Sequence, residues 1–496
     1  MQQSVPPAVL FSALYVMNAL TIKNLCFIYK NWTGENNPPV FSSLDFTVGK
    51  GEHVLLLAKP GSGKTTLARI VADLIPKFID GYLNGIILIQ GKNISGFEPY
   101  QLIQDICYIS QNPAEMVITS TVENEIAFPL ESMGIKRDMI VQRVQEALDQ
   151  WGLRKFAKAS PSELSGGERK RMLLAVATAI DAAVLLLDES FDDLDTYWRK
   201  KLSHLIQESD KTIIVLSARY LPQFTACLPK VVILENGQIH HCTAATARND
   251  FTHKTIEYYH SHGALPTEKE PGAKIRTAGN HLLSVDSLRK TKRRKNILSE
   301  APFVLSCSHF TVRTGEIIRL LGCNGSGKST FSRILCGLDT CDTGRIELDG
   351  KKVRQETLNT QVGYLFQNPD FQIFLPTVYD ELAWGLENSG NYTKDEIYLR
   401  VKHCAELFGL ELQSTPATMS FALRKKLQAA VYYLLDRPFL ILDELDGAMS
   451  YEDAYFITEQ LGQQGAALLI ITHDDFFAQD IADKTYRITN GIMESV

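Results

Sequence analysis

The chain has 496 residues, which exceeds what one hydrophobic core normally organises, so its length predicts two domains. With 45% hydrophobic and 22% charged residues it has the composition of a globular protein, and its formal net charge of −6 argues against a nucleic-acid-binding protein. The nine cysteines are scattered singly, with no C-x-x-C pair. This spacing excludes a disulfide framework and a cysteine zinc site, and it is typical of a reducing compartment.

The start of the chain predicts neither a transmembrane helix nor a signal peptide. The apolar run that begins at Ala8 is short and interrupted by polar residues. It also lacks the charged first region and the small-residue cleavage site of a signal peptide. We therefore predict a disordered leader over residues 1–18, with translation beginning at either Met1 or Met17.

Three motifs occur twice, in the same order and with nearly constant spacing, which predicts a duplicated domain. GSGKT returns as GSGKS, SQNP as FQNP, and LLLDE as LILDE, beginning at Gly61, Ser110 and Leu185 in the first copy and at Gly325, Phe366 and Leu440 in the second. We predict domains over residues 19–245 and 280–496. The stretch 246–279 between them is polar and contains Gly and Pro, so we predict a linker there.

The predicted linker contains His253, His260 and His262, a loose cluster that suggests a metal site as one alternative. No cysteine or carboxylate lies at ligand spacing from these histidines, which favours a solvated linker instead.

The second copy has an apolar strand, a Gly-rich loop and an amphipathic helix around GCNGSGKS, which fits G-x-x-x-x-G-K-[ST] completely. The glycines of such a loop let backbone N–H groups converge on phosphate oxygens, and the helix N-terminus adds a positive dipole. Lys328 is predicted to reach the β- and γ-phosphates of ATP, and the Ser329 hydroxyl to ligate Mg²⁺. The predicted ATP-binding residues here are Gly322, Cys323, Asn324, Gly325, Ser326, Gly327, Lys328, Ser329 and Thr330.

The loop of the first copy departs from this pattern at one position, because Ala58 stands where the first glycine is expected. Lys64 and Thr65 are retained, so we predict that nucleotide binding survives. Strain is expected if Ala58 must adopt a positive φ. The predicted ATP-binding residues of this loop are Ala58, Lys59, Pro60, Gly61, Ser62, Gly63, Lys64, Thr65 and Thr66.

Each copy also has an apolar strand that ends in Asp-Glu, at Glu189 in the first copy and at Glu444 in the second. A buried strand that ends in two carboxylates needs a cation nearby. We predict that Asp188 and Asp443 hold Mg²⁺ through water, and that the two glutamates polarise the water that attacks the γ-phosphate.

The stretch LSGGERKRMLLAVATAI, from Leu164 to Ile180, resembles the signature sequence of ATP-binding-cassette proteins, and it precedes the Asp-Glu strand as in that family. The resemblance covers both repeats. It implies an α/β fold class with two P-loop NTPase domains in tandem, each with a mainly parallel sheet and a helical signature subdomain. It also implies that the two domains pair head to tail, each ATP lying between one P-loop and the other copy's signature, whose ATP-binding residues are Ser165, Gly166, Gly167 and Glu168.

The same resemblance implies further site residues. Tyr29 matches the aromatic residue that stacks on adenine, and Lys292 has the corresponding place in the second copy. His473 matches the family histidine that contacts the γ-phosphate. The implied metal ligands are Thr65, Gln111, Asp188, Ser329, Gln367 and Asp443, and the implied catalytic residues are Glu444, His473, Gln367 and Lys328, with Glu189 at a degenerate site.

The departures from the family pattern fall on one of the two implied ATP sites. The first copy has Ala58 in its P-loop and Ala218 in place of the histidine. The opposing second copy has Phe421 and Ala422 in place of the signature glycines, and Ser450 where the first copy has an aspartate. We therefore predict one hydrolytic site, built on the second P-loop, and one degenerate site. Lys292 predicts weaker nucleotide binding at the hydrolytic site.

The segments after Gln111 and Gln367 resemble the ATPases of energy-coupling-factor importers, which take up vitamins and transition-metal ions. There the residues after Gln-Asn-Pro dock a transmembrane coupling subunit. The second copy fits through Asp370 and Gln372, the first fits poorly at Ala114, Glu115 and Met116, and the apolar residues expected to be exposed are Phe371, Ile373 and Met116.

This resemblance implies an ATPase of a membrane importer for a vitamin precursor or a transition-metal ion, with ATP and Mg²⁺ as cofactors. The implied partners are a transmembrane coupling subunit and a substrate-binding membrane subunit, with no nucleic acid, at the cytoplasmic face of the cell membrane. The alternative is an ATP-switched scaffold that acts on a non-membrane partner.

Overall fold

The computed structural model describes residues 18–30, 38–59, 61–97, 99–192, 194–252, 254–263, 265, 279–292, 302–323, 325–447, 449–472, 474 and 476–496. These residues divide into two compact units, a first unit that ends at Thr252 and a second unit that begins at Lys254. The predicted leader lies outside the described residues except for Asn18, which begins the first strand. The predicted domain boundaries at 245 and 280 stay predictions.

The first unit contains two sheets. Its strands are β1 Asn18–Tyr29, β2 Phe41–Gly49, β3 His53–Leu57, β4 Gly81–Ile89, β5 Lys92–Asn93, β6 Ile106–Ile109, β7 Val184–Asp188, β8 Thr212–Ser217, β9 Lys230–Glu235 and β10 Gln238–Cys242. One sheet has the order β2-β1-β4-β5 and is antiparallel. The other has the order β10-β9-β3-β8-β7-β6, and all its neighbours are parallel except β10 and β9.

The helices of the first unit follow its strands. They are α1 Lys64–Val71, α2 Pro99–Asp105, α3 Val122–Ser132, α4 Arg137–Gln150, α5 Gly166–Ile180, α6 Thr196–Glu208, α7 Phe224–Cys227 and α8 Ala244–Phe251. Helix α1 follows β3 directly through the first Gly-rich loop, and α3, α4 and α5 pack on one another as a helical subdomain.

The second unit repeats this order within one continuous sheet. Its strands are β11 Leu282–Lys292, β12 Phe303–Arg313, β13 Ile317–Leu321, β14 Thr343–Leu348, β15 Lys351–Lys352, β16 Val362–Leu365, β17 Phe439–Asp443, β18 Ala467–Ile471, β19 Lys484–Thr489 and β20 Ile492–Ser495. The strand order is β15-β14-β11-β12-β20-β19-β13-β18-β17-β16. The run β19-β13-β18-β17-β16 is parallel, and the pairing of β12 with β20 joins it to the antiparallel part.

The second unit's helices are α9 Ile256–Ser261, α10 Lys328–Leu335, α11 Gln355–Gln361, α12 Val378–Ser389, α13 Lys394–Phe408, α14 Phe421–Leu435 and α15 Tyr451–Gln463. Helix α10 follows β13 through the second Gly-rich loop, and α12, α13 and α14 form the helical subdomain. The predicted fold class, two α/β P-loop domains in tandem with mainly parallel sheets, is confirmed.

The central strands are apolar because both faces of the parallel sheet are covered, and this burial on both sides fixes the Gly-rich loops in place. In β3, Leu55 and Leu57 face the core shared with the helical subdomain, whereas Val54 and Leu56 face the core shared with α1 and the antiparallel sheet. Alternate side chains of a strand point to opposite faces, so one short apolar run serves two cores. Strand β17 does the same in the second unit.

The stretch predicted as a linker carries two helices within its described part. Phe251 of α8 packs into the first unit, whereas Tyr259 of α9 packs against Tyr455 of α15 with 5.8 Å between the ring centroids. His260 pairs with Glu459 at 3.0 Å, and His262 stacks on the ring of Tyr258. No group of three or more His, Cys, Asp or Glu side chains that could hold a metal ion is present among the residues that the structure describes, and His253 lies outside them. Within the same residues, no helix is long and apolar enough to span a membrane.

Candidate functional site

The first Gly-rich loop runs from Ala58 to Gly63, and α1 begins at Lys64. Gly61 and Gly63 have φ values of 81° and 94°, a left-handed conformation that glycine adopts without a steric penalty. Ala58 does not have a positive φ, and its N–H donates to Ser217 O at 3.1 Å, so the strain expected at Ala58 is absent. Pro60 lies outside the described residues.

Lys64 and Thr65 contact the carboxylates at the end of β7. The ammonium of Lys64 forms a buried ion pair with Glu189, and its Nζ lies 4.0 Å from Asp188 Oδ1. Thr65 Oγ1 donates to Asp188 Oδ2 at 2.9 Å. Burial lowers the pKa of Lys64, although the charge of Asp188 opposes the shift. The sequence separates these residues widely, and the adjacency of β3 and β7 to β8 brings them together.

The first unit's site fits a bound Mg²⁺–ATP. Asp188 and Glu189 are buried, and Asp188 Oδ1 and Glu189 Oε2 have no hydrogen-bond partner among the described residues. A buried carboxylate oxygen without a donor is costly unless a cation lies beside it, and carboxylate and hydroxyl oxygens are the ligands that Mg²⁺ prefers. At Gly61 and at its counterpart Gly325, a Cβ would meet no atom within 4 Å, which leaves room for phosphate oxygens.

The second Gly-rich loop requires glycine where the first has alanine. A Cβ at Gly322 would come within 2.6 Å of Ile488 O and of Ser326 Oγ, so a side chain does not fit there. Lys328 Nζ donates to Gly322 O at 2.7 Å and to Cys323 O at 3.2 Å, across the mouth of its own loop. Ser329 is exposed at the start of α10. Asn324 lies outside the described residues.

Strand β17 ends at Asp443, whose environment differs from that of Asp188. Tyr364 donates its hydroxyl hydrogen to Asp443 Oδ2 at 2.5 Å. Burial, with the nearby charge of Glu444, raises the pKa of Asp443 to about 6. A buried carboxylate in this position fits a cation that would restore its ionised form.

The glutamates that follow both strands share one backbone conformation and differ in their side-chain partners. Glu189 and Glu444 have φ values of 47° and 48°, which is unusual for a residue other than glycine and is often associated with functional sites. Glu189 Oε1 also accepts from Ala218 N at 2.8 Å. Glu444 Oε2 instead accepts from Gln367 Nε2 at 2.5 Å. The structure thus brings the side chain of Gln367 to Glu444, as the predicted site requires. In the first unit, the backbone carbonyl oxygen of Gln111 accepts from Lys170 Nζ at 3.0 Å.

The two signature segments begin helices in the same way but present different residues. Ser165 caps α5 with a full capping box, in which its hydroxyl oxygen accepts from Glu168 N at 3.4 Å and Glu168 Oε2 accepts from Ser165 N at 2.9 Å. Ser420 caps α14 by accepting from Leu423 N at 3.3 Å, without a matching acidic residue. The first two residues of α5 are Gly166 and Gly167, whereas α14 begins with Phe421 and the buried Ala422. Asp195 and Ser450 cap α6 and α15, as corresponding positions should.

Tyr29 and Lys292 end the corresponding strands β1 and β11, so the alignment of these two positions agrees with the structure. The Tyr29 hydroxyl lies 2.8 Å from Thr66 Oγ1, at the first turn of α1. Lys292 Nζ lies 3.4 Å from Asp339 Oδ2, in the segment that follows the C-terminal end of α10. His473 lies outside the described residues.

Sequence reasoning missed three features of these sites. A buried ion pair joins Arg219 to Asp192 at 2.7 Å beside the first site. Lys170 and Lys425, one in each signature helix, are fully buried. The left-handed backbone at the two glutamates is the third. The repeat comparison could have found Lys170 and Lys425, because they occupy matching positions, whereas the other two features depend on contacts and backbone angles that no motif encodes.

The ABC transporter family model matches residues 41–192 and 305–446, one stretch in each unit. A Treponema denticola protein provisionally named ABC transporter ATP-binding protein is 27% identical over 95% of this chain and 96% of its own length. A Bacillus subtilis protein provisionally named HMP/thiamine import ATP-binding protein YkoD is 26% identical over 94% of this chain and 88% of its own length. The solved structure of cbiO1 from Clostridium perfringens, described as part of the ABC transporter complex cbiONQ, is 25% identical, with a TM-score of 0.38, over 44% of this chain and 88% of that one.

Both matched stretches contain a Gly-rich loop between a parallel strand and a helix, and both end just after the Asp-Glu pair. The predicted family and the predicted ATPase activity are therefore confirmed. The chain belongs to the ABC transporter family, as a tandem ATP-binding protein with ATPase activity.

Proposed function

We propose that this chain is the ATP-hydrolysing subunit of an energy-coupling-factor type importer for a vitamin precursor or a transition-metal ion. It would lie at the cytoplasmic face of the membrane, against a transmembrane coupling subunit that works with a substrate-binding membrane subunit. The observation that carries the proposal is a set of exposed apolar side chains after each Gln-Asn-Pro. The name of the Bacillus subtilis relative, which refers to HMP/thiamine import, supports an importer of a vitamin precursor.

The exposed residues define a docking surface in each unit, which is Ile118 in the first unit and Phe371 with Phe374 in the second. Ile118 is 72% exposed, Phe371 is 68% exposed and Phe374 is 70% exposed. Large apolar side chains clustered at a surface are typical of protein–protein contacts. The expectation that Ile373 and Met116 are exposed was wrong, because both are half-buried against the cores of their helical subdomains.

We further propose that the two ATP sites are unequal and that hydrolysis occurs at the site built on the second P-loop. Mg²⁺–ATP supplies the scissile phosphoanhydride and the charge of the metal when it is bound. Lys328 and Ser329 would hold the phosphates and the metal, with Asp443 and Gln367 as further ligands, and Glu444 would accept a proton from the attacking water. The contact between Gln367 and Glu444 supports this assignment.

The first site would bind ATP with little turnover. Glu189 is already engaged by Lys64 and by the backbone N–H of Ala218, where the family has a histidine. A carboxylate that accepts two such bonds is a weak base, since both favour its charged form. The proposed head-to-tail pairing would place Phe421 and Ala422 against this site, where they would keep the backbone from approaching a phosphate.

Replacement of the docking surface tests the importer hypothesis. The double variant Phe371→Asp/Phe374→Asp should no longer co-purify with membranes, while ATP binding measured by equilibrium dialysis stays unchanged. Tyr82→Asp is the matched control, because Tyr82 is also an exposed aromatic residue but lies on β4 of the first unit. If the wild-type chain never co-purifies with a membrane subunit, the scaffold on a non-membrane partner becomes the better hypothesis.

A further inference from the structure

Each signature helix contains one lysine that is completely buried. Lys170 in α5 and Lys425 in α14 both have a relative exposure of 0%, and both lie five residues after the serine that caps their helix. Taking an ammonium group out of water costs several kcal/mol, and an apolar side chain of similar length avoids that cost. A purely structural role would favour methionine or leucine here, so the two lysines need another explanation.

Each ammonium group donates at least one hydrogen bond to the backbone that leads into the Gln-Asn-Pro segment of its unit, and Lys425 also donates to the end of β17. Lys170 Nζ donates to Ser110 O at 3.2 Å and to Gln111 O at 3.0 Å. Lys425 Nζ donates to Phe366 O at 2.6 Å and to Asp443 O at 3.4 Å. Ser110 and Phe366 are corresponding residues, directly before the two glutamines.

The second unit keeps this lysine although its signature has lost both glycines. Phe421 and Ala422 remove the features that suit phosphate binding, so contact with a nucleotide does not explain why Lys425 is retained. The two helices do share the bond from the lysine to the loop before the glutamine. This internal comparison points to the loop as the target of the lysine.

The second unit adds an ion pair and further hydrogen bonds between α14 and the same segment. Arg424 Nε lies 2.9 Å from Asp370 Oδ1, and Gln372 Nε2 donates to the Tyr432 hydroxyl at 3.0 Å. Gln428 donates to Gln372, which in turn accepts from Phe366 N at 3.1 Å. Helix α14 therefore holds the Gln-Asn-Pro segment along two turns of its length.

We propose that Lys170 and Lys425 are positioning residues that fix the loop containing Gln111 or Gln367 to the signature helix of the same unit. In the second unit the signature helix α14 thereby acts as a bracket, a term we use for the contacts of α14 with the Gln-Asn-Pro segment. The bracket keeps Gln367 against Glu444 and presents Phe371 and Phe374 outward. The inference rests on the proposed function, because holding this loop matters for the roles proposed there for Gln367 in hydrolysis and for Phe371 and Phe374 in docking.

Hydrogen–deuterium exchange of the purified full-length chain tests the inference without a membrane partner. In Lys425→Met, amides of residues 364–374 should exchange about tenfold faster or more, as the loss of one charge-assisted hydrogen bond predicts, with other segments unchanged. The ATPase kcat should fall while the KM for ATP stays unchanged, because the loop and not nucleotide binding is disturbed. Lys425→Arg should restore part of both.

Lys426→Met is the matched control, because the neighbouring Lys426 pairs with Asp453 on α15 and does not contact the loop. It should leave exchange at 364–374 and kcat unchanged. Unaltered exchange at 364–374 in Lys425→Met would overturn the proposal. If Lys425→Met does not fold, Lys170→Met is measured at residues 108–116 with the same two outcomes. The docking hypothesis and the positioning hypothesis can fail separately. The Phe371→Asp/Phe374→Asp variant tests the first by membrane co-purification, and hydrogen–deuterium exchange in Lys425→Met tests the second without a membrane.

Discussion

The two units keep the same backbone at their Asp-Glu pairs but hold the glutamates by different means. Glu189 forms a buried ion pair with Lys64 and accepts from the N–H of Ala218, so one of its carboxylate oxygens has both partners within its own unit. Glu444 is engaged by Gln367, while Lys328 donates to carbonyl oxygens of its own loop. The two units thus share the backbone scaffold, including the left-handed glutamates, and differ in the side chains that contact those glutamates.

The same contrast extends to the segment after each glutamine. In the second unit, Gln372 accepts from Phe366 N through its side-chain oxygen. In the first unit, Met116 occupies the corresponding place and its sulfur accepts from Ser110 N at 3.1 Å. A side-chain oxygen in the second unit and a side-chain sulfur in the first thus accept from corresponding backbone N–H groups. The four predictions that follow test how far these differences reach.

The largest effect is expected from the glutamates. Glu444→Gln should lower ATP turnover by about 100-fold or more while ATP stays bound, because Gln keeps the shape of the side chain but cannot accept a proton. Glu189→Gln should change turnover by no more than roughly twofold. His473→Ala should behave nearly like Glu444→Gln. Steady-state ATPase assays with equilibrium ATP binding measure all three, and equal losses at Glu189 and Glu444 would show two working sites.

The second effect concerns the buried ion pair beside the first site. Asp192 accepts from Arg219 at 2.7 Å, and although burial alone would raise the pKa of Asp192, the charge of Arg219 holds it lowered. Arg219→Met should lower the free energy of unfolding of the first unit by about 3–5 kcal/mol, because it removes the ion-pair partner of a buried carboxylate. Urea unfolding of the full-length chain measures this change.

The second unit supplies the control for this pair. Asp474, the counterpart of Arg219, accepts from the neutral hydroxyl of Tyr451. Tyr451→Phe should therefore lower the free energy of unfolding by only about 1–3 kcal/mol. The double variant Asp192→Leu/Arg219→Met should recover most of the stability lost in Arg219→Met. A double variant as unstable as the single one would contradict the ion-pair explanation.

The third prediction separates the two P-loops chemically. Cys323 is exposed in the second loop, where the first has Lys59. Burial raises the pKa of the Cys107 and Cys404 thiols to about 12, so at pH 7.5 their reactive thiolate fraction is lower than that of an ordinary thiol by roughly three orders of magnitude. N-ethylmaleimide should therefore modify Cys323 first, with ATP protecting it, as peptide mass spectrometry reports. Earlier modification of Cys107 would contradict this.

The smallest effect is expected when Gln372 and Gln428 are replaced by the apolar residue types found at the corresponding positions of the first unit. Gln372→Met with Gln428→Leu introduces the residue types of Met116 and Leu173, and it should cost less than about 1.5 kcal/mol, because the swap conserves volume and removes both polar partners. Gln372→Met alone should cost about 1–3 kcal/mol, since it leaves Gln428 without its acceptor. A double-mutant cycle followed by urea unfolding measures the difference. Additive costs would show that the two side chains do not act together.

Much of the site could be predicted because its residues lie in short motifs with fixed local geometry. Gly61, Gly63, Gly325 and Gly327 adopt the positive φ values that a phosphate-binding loop requires. The strand, loop and helix predicted around the second P-loop are present in the structure, and the family resemblance implied the mainly parallel sheet. The prediction of exposure failed at Ile373 and Met116, because sequence alone does not state which side of a 3-10 turn faces the core.

The amino-acid sequence by itself determined the duplication, the family, the two P-loops and the positions at which the two copies depart from the family pattern. These follow from residue identity and spacing, which local backbone geometry translates directly into structure. The tertiary structure alone decided which side chains hold Glu189 and Glu444, that Arg219 pairs with Asp192, and that Lys170 and Lys425 reach the loops before the glutamines. Those contacts join residues far apart in the chain, and the order of the parallel strands, not any local pattern, brings them within hydrogen-bonding distance.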